Sequence, residues 1–96
     1  MPAGVEPFAT VREPEGLTIV LRQDDADRAG LPYDGEFAKI TLRVHSALDA
    51  VGLTAAVSAA LAARGVSANV IAGRHHDHVF VPADCARDAI DALSRL

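Results

Sequence analysis

The chain has no tryptophan, one tyrosine, three phenylalanines and one cysteine in 96 residues. So few aromatic faces leave little for nucleic-acid bases to stack on. Nine basic against thirteen acidic side chains give a net charge of −4, and no Lys/Arg cluster interrupts it. Both features argue against nucleic acid, whose binding is dominated by phosphate neutralisation. The lone Cys85 excludes an internal disulfide and fits a reducing, cytoplasmic setting. No apolar run approaches the ~20 residues that a membrane helix needs. The opening MPAGVEPF lacks the basic and apolar stretches of a signal peptide. There is no phosphate-cradling loop, no G-x-S-x-G and no separated carboxylate pair. The expectation is a binding protein without catalytic residues or cofactor, and not an enzyme.

What is present is a chain that is half apolar and long enough for one domain. A chain of this length buries enough surface to fold with little margin, so oligomerisation is a natural source of further stability. Residues 1–7 are Pro- and Gly-rich and expected to be loose. FATVRE and LTIVL flank Glu13-Pro14-Glu15-Gly16, where Pro and Gly stand at turn positions, which predicts a β-hairpin. About two turns of helix follow from Asp24, ended by Gly30 and Pro32. The hairpin and short helix occupy residues 8–36. Residues 37–96 form the main body of a single domain spanning 8–96.

That body begins with Ala38, Ile40, Leu42 and Val44 alternating with Lys39, Thr41, Arg43 and His45, the period of a half-buried strand. A helix is predicted over residues 51–64, with Leu53, Ala56, Val57, Ala60 and Leu61 on its buried face. Gly65 followed by Val66 is the pattern of a Schellman stop. Two strands come next, then a second helix over residues 83–96, with Ala86, Ala89, Ile90 and Leu93 as its buried stripe. The order is strand, helix, strand, strand, helix, which is most of a βαββαβ unit. Strand 17–21 is expected to take the place of the absent last strand, pairing with strand 40–44. The outer sheet face, carrying Phe37, Thr41, His78 and Phe80, is more apolar than a free face needs, which predicts a homodimer or larger.

The runs HSALDAVGLTAAV and AGRHHDHVFVP resemble the ACT domain family, and most of all its short, free-standing bacterial members. The resemblance covers residues 8–96. ACT domains often carry D-x-x-G and an apolar residue after the first strand, here Asp49, Gly52 and Leu53. The resemblance implies a ferredoxin-like α+β sandwich that regulates amino-acid metabolism by binding a small ligand, often at a subunit interface. Ordinary ACT domains end in a fourth strand after the second helix, whereas this chain stops at Leu96. Free-standing relatives also begin further upstream with an extra strand.

The expected ligand site is the rim where the first strand meets the first helix. Asp49, Ala50, Val51, Gly52 and Leu53 offer a close backbone approach and the free N–H groups of a helix start, suited to a carboxylate. Val70, Ile71, Ala72 and Gly73 end the second strand at the same rim and offer backbone to an ammonium group. An amino acid is the expected ligand. Asp49 either orients that ammonium or caps the helix, since Ser46-x-x-Asp49 resembles a capping box. His76 and His78 share a strand side, with His45 as a third candidate for a metal alternative. The other reading makes these histidines polar strand residues, without metal. Cys85 opens a helix, where a thiol pKa can fall, but a half-buried side chain is the better reading than a nucleophile. Asp24, Asp25 and Asp27 lack the Gly and distant Glu of a calcium loop and read as a solvated helix start. A structural assembly module without a ligand is the remaining alternative.

Overall fold

The computed structural model describes residues 4–42 and 50–96. Two compact units, Met1–Asp34 and Gly35–Leu96, divide the chain.

The first unit is a hairpin followed by one short helix. Strand β1 (Ala9–Glu13) pairs antiparallel with β2 (Gly16–Val20), in register from Ala9 opposite Val20 to Glu13 opposite Gly16. Only Pro14 and Glu15 bridge the turn. Proline presets its own φ, and the Glu13 carboxylate accepts a hydrogen bond from the Thr18 hydroxyl. Helix α1 (Gln23–Arg28) carries Asp24 and Asp25 in its first turn, where acidic groups favour the helix dipole. Arg22 pairs with Asp24 at 3.1 Å, and Arg28 pairs with Asp25. The Arg22 guanidinium beside Asp24 holds that carboxyl below its ordinary pKa. Asp24 and Asp27 are exposed, as the sequence predicts, whereas Asp25 is half-buried. Beyond it, Gln23 Nε2 donates to the Tyr33 hydroxyl at 3.0 Å.

The second unit is a three-stranded antiparallel sheet with two helices. Its strands are β3 (Phe37–Leu42), β4 (Asn69–Ala72) and β5 (Asp77–Pro82), in the order β3-β5-β4. The pairing is fixed by pattern. β3 alternates exposed and half-buried along its whole length, and a one-residue slip would turn Ala38, Ile40 and Leu42 to the wrong face. Ile40 therefore lies opposite Val79, and Val79 opposite Val70. Between β3 and β4 runs α2 (Ala50–Ala63). It ends as the sequence predicts. The Val66 N–H reaches the Leu61 carbonyl at 3.0 Å and the Gly65 N–H reaches Ala62 at 3.0 Å, with Gly65 at φ +69°. That pair of bonds is the Schellman motif, and its apolar contact joins Val66 and Leu61 in the core. A 3₁₀ turn at Ala83–Cys85 leads from β5 into α3 (Ala86–Ser94).

The core of this unit is Val57 and Leu61 of α2, Val66, Val79 and Val81 of β5, and Ala89 and Ala92 of α3. Leu61, Val57, Val79 and Val81 are the largest side chains fully withdrawn from water. Each contributes about 1.5–3 kcal/mol by burial. At its far end α2 is tied to α3 by Arg64. Its Nη1 reaches Asp88 Oδ1 and its Nη2 reaches Asp91 Oδ2, both at 2.8 Å.

Three sequence expectations are corrected. Strand 17–21 does not join the sheet of strand 40–44: β2 pairs with β1, and the only partner of β3 among the described residues is β5. The two-residue turn commits β2 to β1 along its full length. The buried stripe of α3 is built on Ala89 and Ala92, not Ile90, which is 55 % exposed. Small residues let α3 lie close to β5, and the hold of Arg64 on Asp88 and Asp91 sets the rotation of the helix. Ala56 is exposed for a related reason. Alanines on both sides of α2 make its two faces chemically alike, so Leu53, Val57 and Leu61 decide which one turns inward.

Candidate functional site

The sheet register gathers the ends of three strands at one rim. Leu42, the last residue of β3, pairs with Asp77, the first of β5, and Asp77 also pairs with Ala72, the last of β4. β3 ends here at Leu42, and residues 43–49, which lead to α2, are not described. Asp49 and His45 lie outside the described residues, as does the Ser46–Asp49 capping pattern.

Ala50 and Val51 open α2, and Gly52 stands in its first turn. Gly52 is exposed, does not adopt positive φ, and has no described atom within 4 Å of where a Cβ would stand. Neither the described neighbours nor the backbone conformation calls for glycine there. Glycine in a helix costs roughly 0.5–1 kcal/mol relative to alanine. Leu53, one position on, is half-buried and packs against the core, which anchors this first turn.

At the end of β4, Val70 is half-buried against the core, whereas Ile71 points to the opposite sheet face beside His78. Ala72 and Gly73 are exposed. Gly73 begins the β4–β5 turn, and its N–H donates to the His76 carbonyl at 2.9 Å. A Cβ on Gly73 would stand 2.9 Å from that same carbonyl oxygen and 3.9 Å from His78 Nε2. Here, unlike at Gly52, close approach of two backbone segments demands the absence of a side chain.

His78 is half-buried, and its Nδ1 lies 3.0 Å from the Thr41 hydroxyl of the neighbouring strand. The hydroxyl serves as donor or acceptor according to the tautomer. The His76 and His78 rings meet edge to face, with centroids 6.5 Å apart. Two imidazoles on one tetrahedral zinc would bring their centroids to about 5 Å. Among the described residues, no three His, Cys, Asp or Glu side chains gather around a common point. Sequence reasoning misses the cross-strand pairing of Thr41 with His78. Both residues sit on the outer sheet face, but only the register reveals them as partners.

Cys85, in the 3₁₀ turn, is half-buried against the core. Loss of solvent raises its thiol pKa, and the neighbouring Asp84 carboxylate raises it further. The lowering by a helix start is not realised, because Asp84 and Asp88 supply negative charge where α3 begins. No helix among the described residues is long and apolar enough to cross a membrane.

Residues 35–95 match a family model described as an ACT domain, and residues 1–38 match a second model of the same description. The crystal structure of a Vibrio cholerae protein of unknown function, described as a possible transport protein, is similar to this chain. The two are 57% identical with a TM-score of 0.83, and the match covers 93% of this chain and 68% of that one. Among curated proteins, none matches. With most of its length matched and its strands, helices and rim arranged on a ferredoxin-like plan, the chain belongs to the ACT domain family, whose members are typically regulatory, non-catalytic, ligand-binding modules.

Proposed function

We propose that this protein binds an amino acid at the rim formed by Asp49, Ala50, Val51, Gly52 and Leu53 with Val70, Ile71, Ala72 and Gly73. The observation that carries the reading is Gly52. It is a glycine in a helical first turn that neither φ nor any described neighbour requires, with no described atom within 4 Å of where its Cβ would stand. A ligand carboxylate approaching there meets helix N–H groups that have no intrahelical partner. The exposed end of β4, at Ala72 and Gly73, offers backbone carbonyls to the ammonium group. The ligand acts at or near the interface of a homodimer or larger assembly, in the cytoplasm. By favouring one packing of the subunits over another, it reports its concentration to a partner protein.

The test is a thermal-shift screen of the whole chain against the twenty amino acids, repeated with divalent metals. A ligand at a hundred times its dissociation constant stabilises by about 2.7 kcal/mol. The expected result is a rise in melting temperature with one or a few chemically related amino acids, lost in Gly52→Val. No shift with any amino acid would sink the reading and leave a ligand-free assembly module. A shift with a metal alone would point to the histidines instead.

A further inference from the structure

A carboxylate that leaves water is normally matched by a cation or by hydrogen-bond donors, because an unmatched charge is costly to bury. Among the described residues, two acidic side chains are withdrawn from the surface, Asp25 and Asp77, and the rest are exposed. Asp25 holds Arg28. Asp77 is different. Among the described residues, no ion pair and no side-chain hydrogen bond reaches its carboxylate. Arg74 stands three positions earlier, in the β4–β5 turn, yet it is exposed and does not pair with Asp77.

The strand pattern fixes where this carboxylate lies. Val79 and Val81 of β5 are fully buried in the core that α2 and α3 cover. Alternation along the strand turns Asp77, two residues before Val79, to the same side. Thr41 and His78 occupy the opposite face. Across the ladder Asp77 stands between Leu42 of β3 and Ala72 of β4. Leu42 packs against the core, and Leu53 of the first turn of α2 joins that core from the helix layer. Along the sheet, then, the neighbours of Asp77 on its own face are Leu42, Ala72 and Val79, and none of them offers a donor. The carboxylate sits at the strand ends, half-buried and within reach of a group arriving from solvent.

We propose that Asp77 is the ammonium-binding side chain of the rim: its carboxylate accepts hydrogen bonds from the α-ammonium of the bound amino acid, beside the backbone carbonyls at the end of β4. This inference rests on the amino-acid reading above and adds the residue that recognises the ligand's positive end. An ammonium group is compact and carries donors only, whereas an ionised carboxylate carries acceptors only. Charge-assisted bonds between them are roughly twice as strong as neutral ones. Selectivity follows. A 2-hydroxy acid has the shape of an amino acid but brings no cation, so it would leave Asp77 unmatched and be rejected.

Thermal-shift titration of the full chain and of Asp77→Asn tests this, with each of the twenty amino acids and its matching 2-hydroxy acid. The amino acid that stabilises the parent should lose roughly ten- to hundredfold in affinity in Asp77→Asn, and its 2-hydroxy analogue should bind the parent more weakly by a similar factor. Without ligand, Asp77→Asn should melt no lower than the parent, since asparagine keeps the shape and no described partner is lost. If the variant misfolds, the 2-hydroxy acids still read the contact on the parent. Unchanged affinity in Asp77→Asn, or a 2-hydroxy acid that binds the parent as tightly as its amino acid, would overturn the role of Asp77 and leave the rim reading standing. A lower melting temperature of the folded, unliganded variant would mean that Asp77 already has a partner within the chain, and would overturn that role as well. A parent that binds none of the twenty would overturn both readings.

Discussion

Arg64 at the end of α2 and Asp91 in the middle of α3 are joined by a 2.8 Å ion pair, and the same guanidinium holds Asp88. Arg64 and Asp88, 24 residues apart in sequence, thereby fasten the two helices at one corner. The pair is mutual in its electrostatics. Hydrogen bonding by Arg64 holds the Asp91 carboxyl below its ordinary pKa, and Asp88 and Asp91 raise that of Arg64.

The sign of the pH dependence follows. A carboxyl whose folded pKa is depressed contributes stability above its unfolded pKa and loses it as pH falls through the folded value. Thermal melts should therefore show part of the acid destabilisation disappearing in Arg64→Met, in the window from the ordinary aspartate range downward. Carboxyl-carbon NMR should show Asp91 titrating closer to its ordinary value in that variant. Both groups are solvent-accessible, so added salt should reduce the difference. An identical acid profile in parent and variant would mean that the pair does not form in solution.

Gly52→Ala should stabilise the free protein by roughly 0.5–1 kcal/mol, since alanine is the better helix former and nothing described crowds its Cβ. The same methyl should weaken amino-acid binding. Chemical denaturation of the unliganded chain measures the first and calorimetry the second. Destabilisation would reveal a packing role for Gly52, made with residues 43–49.

Gly73→Ala should behave in the opposite way. Its Cβ would press on the His76 carbonyl at 2.9 Å, so the β4–β5 turn must shift or the Gly73–His76 hydrogen bond must lengthen. Overpacking of this kind costs about 1–3 kcal/mol. Urea denaturation checks it, and hydrogen exchange should show the loss concentrated at the Gly73 amide. Native stability with an unchanged Gly73 amide would refute the close approach.

Cys85 should react slowly with maleimide or iodoacetamide near neutral pH. Its thiol pKa is raised first by desolvation and then by Asp84, so little thiolate is present. The rate should climb only at a pH above that at which a free cysteine accelerates. Asp84→Asn should bring that rise to lower pH while leaving the desolvation effect in place. A parent profile matching free cysteine would contradict the burial of Cys85 against the core.

Much of the fold is legible in the sequence because it is written in periodicity and turn chemistry. Alternation from Ala38 to Leu42 sets the faces of β3, Pro14 with Gly16 sets the hairpin, and Gly65 with Val66 closes α2. The rim is legible as topology, since Leu42, Asp77 and Ala72 fall in one row once the strand order is known. Side-chain partners across elements are not. Nothing near Thr41 names His78, and nothing near Arg64 names Asp88 and Asp91, although two aspartates three apart on one helix face hint at a shared cation. Ile90 misleads because size is a poor guide to burial where contact distance favours Ala89 and Ala92. The partner of β2 misleads because an open strand position in the second unit invites the nearest spare strand.

Tyr33, whose hydroxyl is bonded by Gln23, belongs to the first unit, and the chain has no second tyrosine and no tryptophan. Ultraviolet emission from the native protein is therefore a private signal of residues 1–34. The sheet and its two helices are optically silent beyond their phenylalanines. Followed together, tyrosine fluorescence and far-ultraviolet dichroism time the two units separately during unfolding. Coincident curves would mean that they melt as one, and separated curves would date the loss of each without any label being attached.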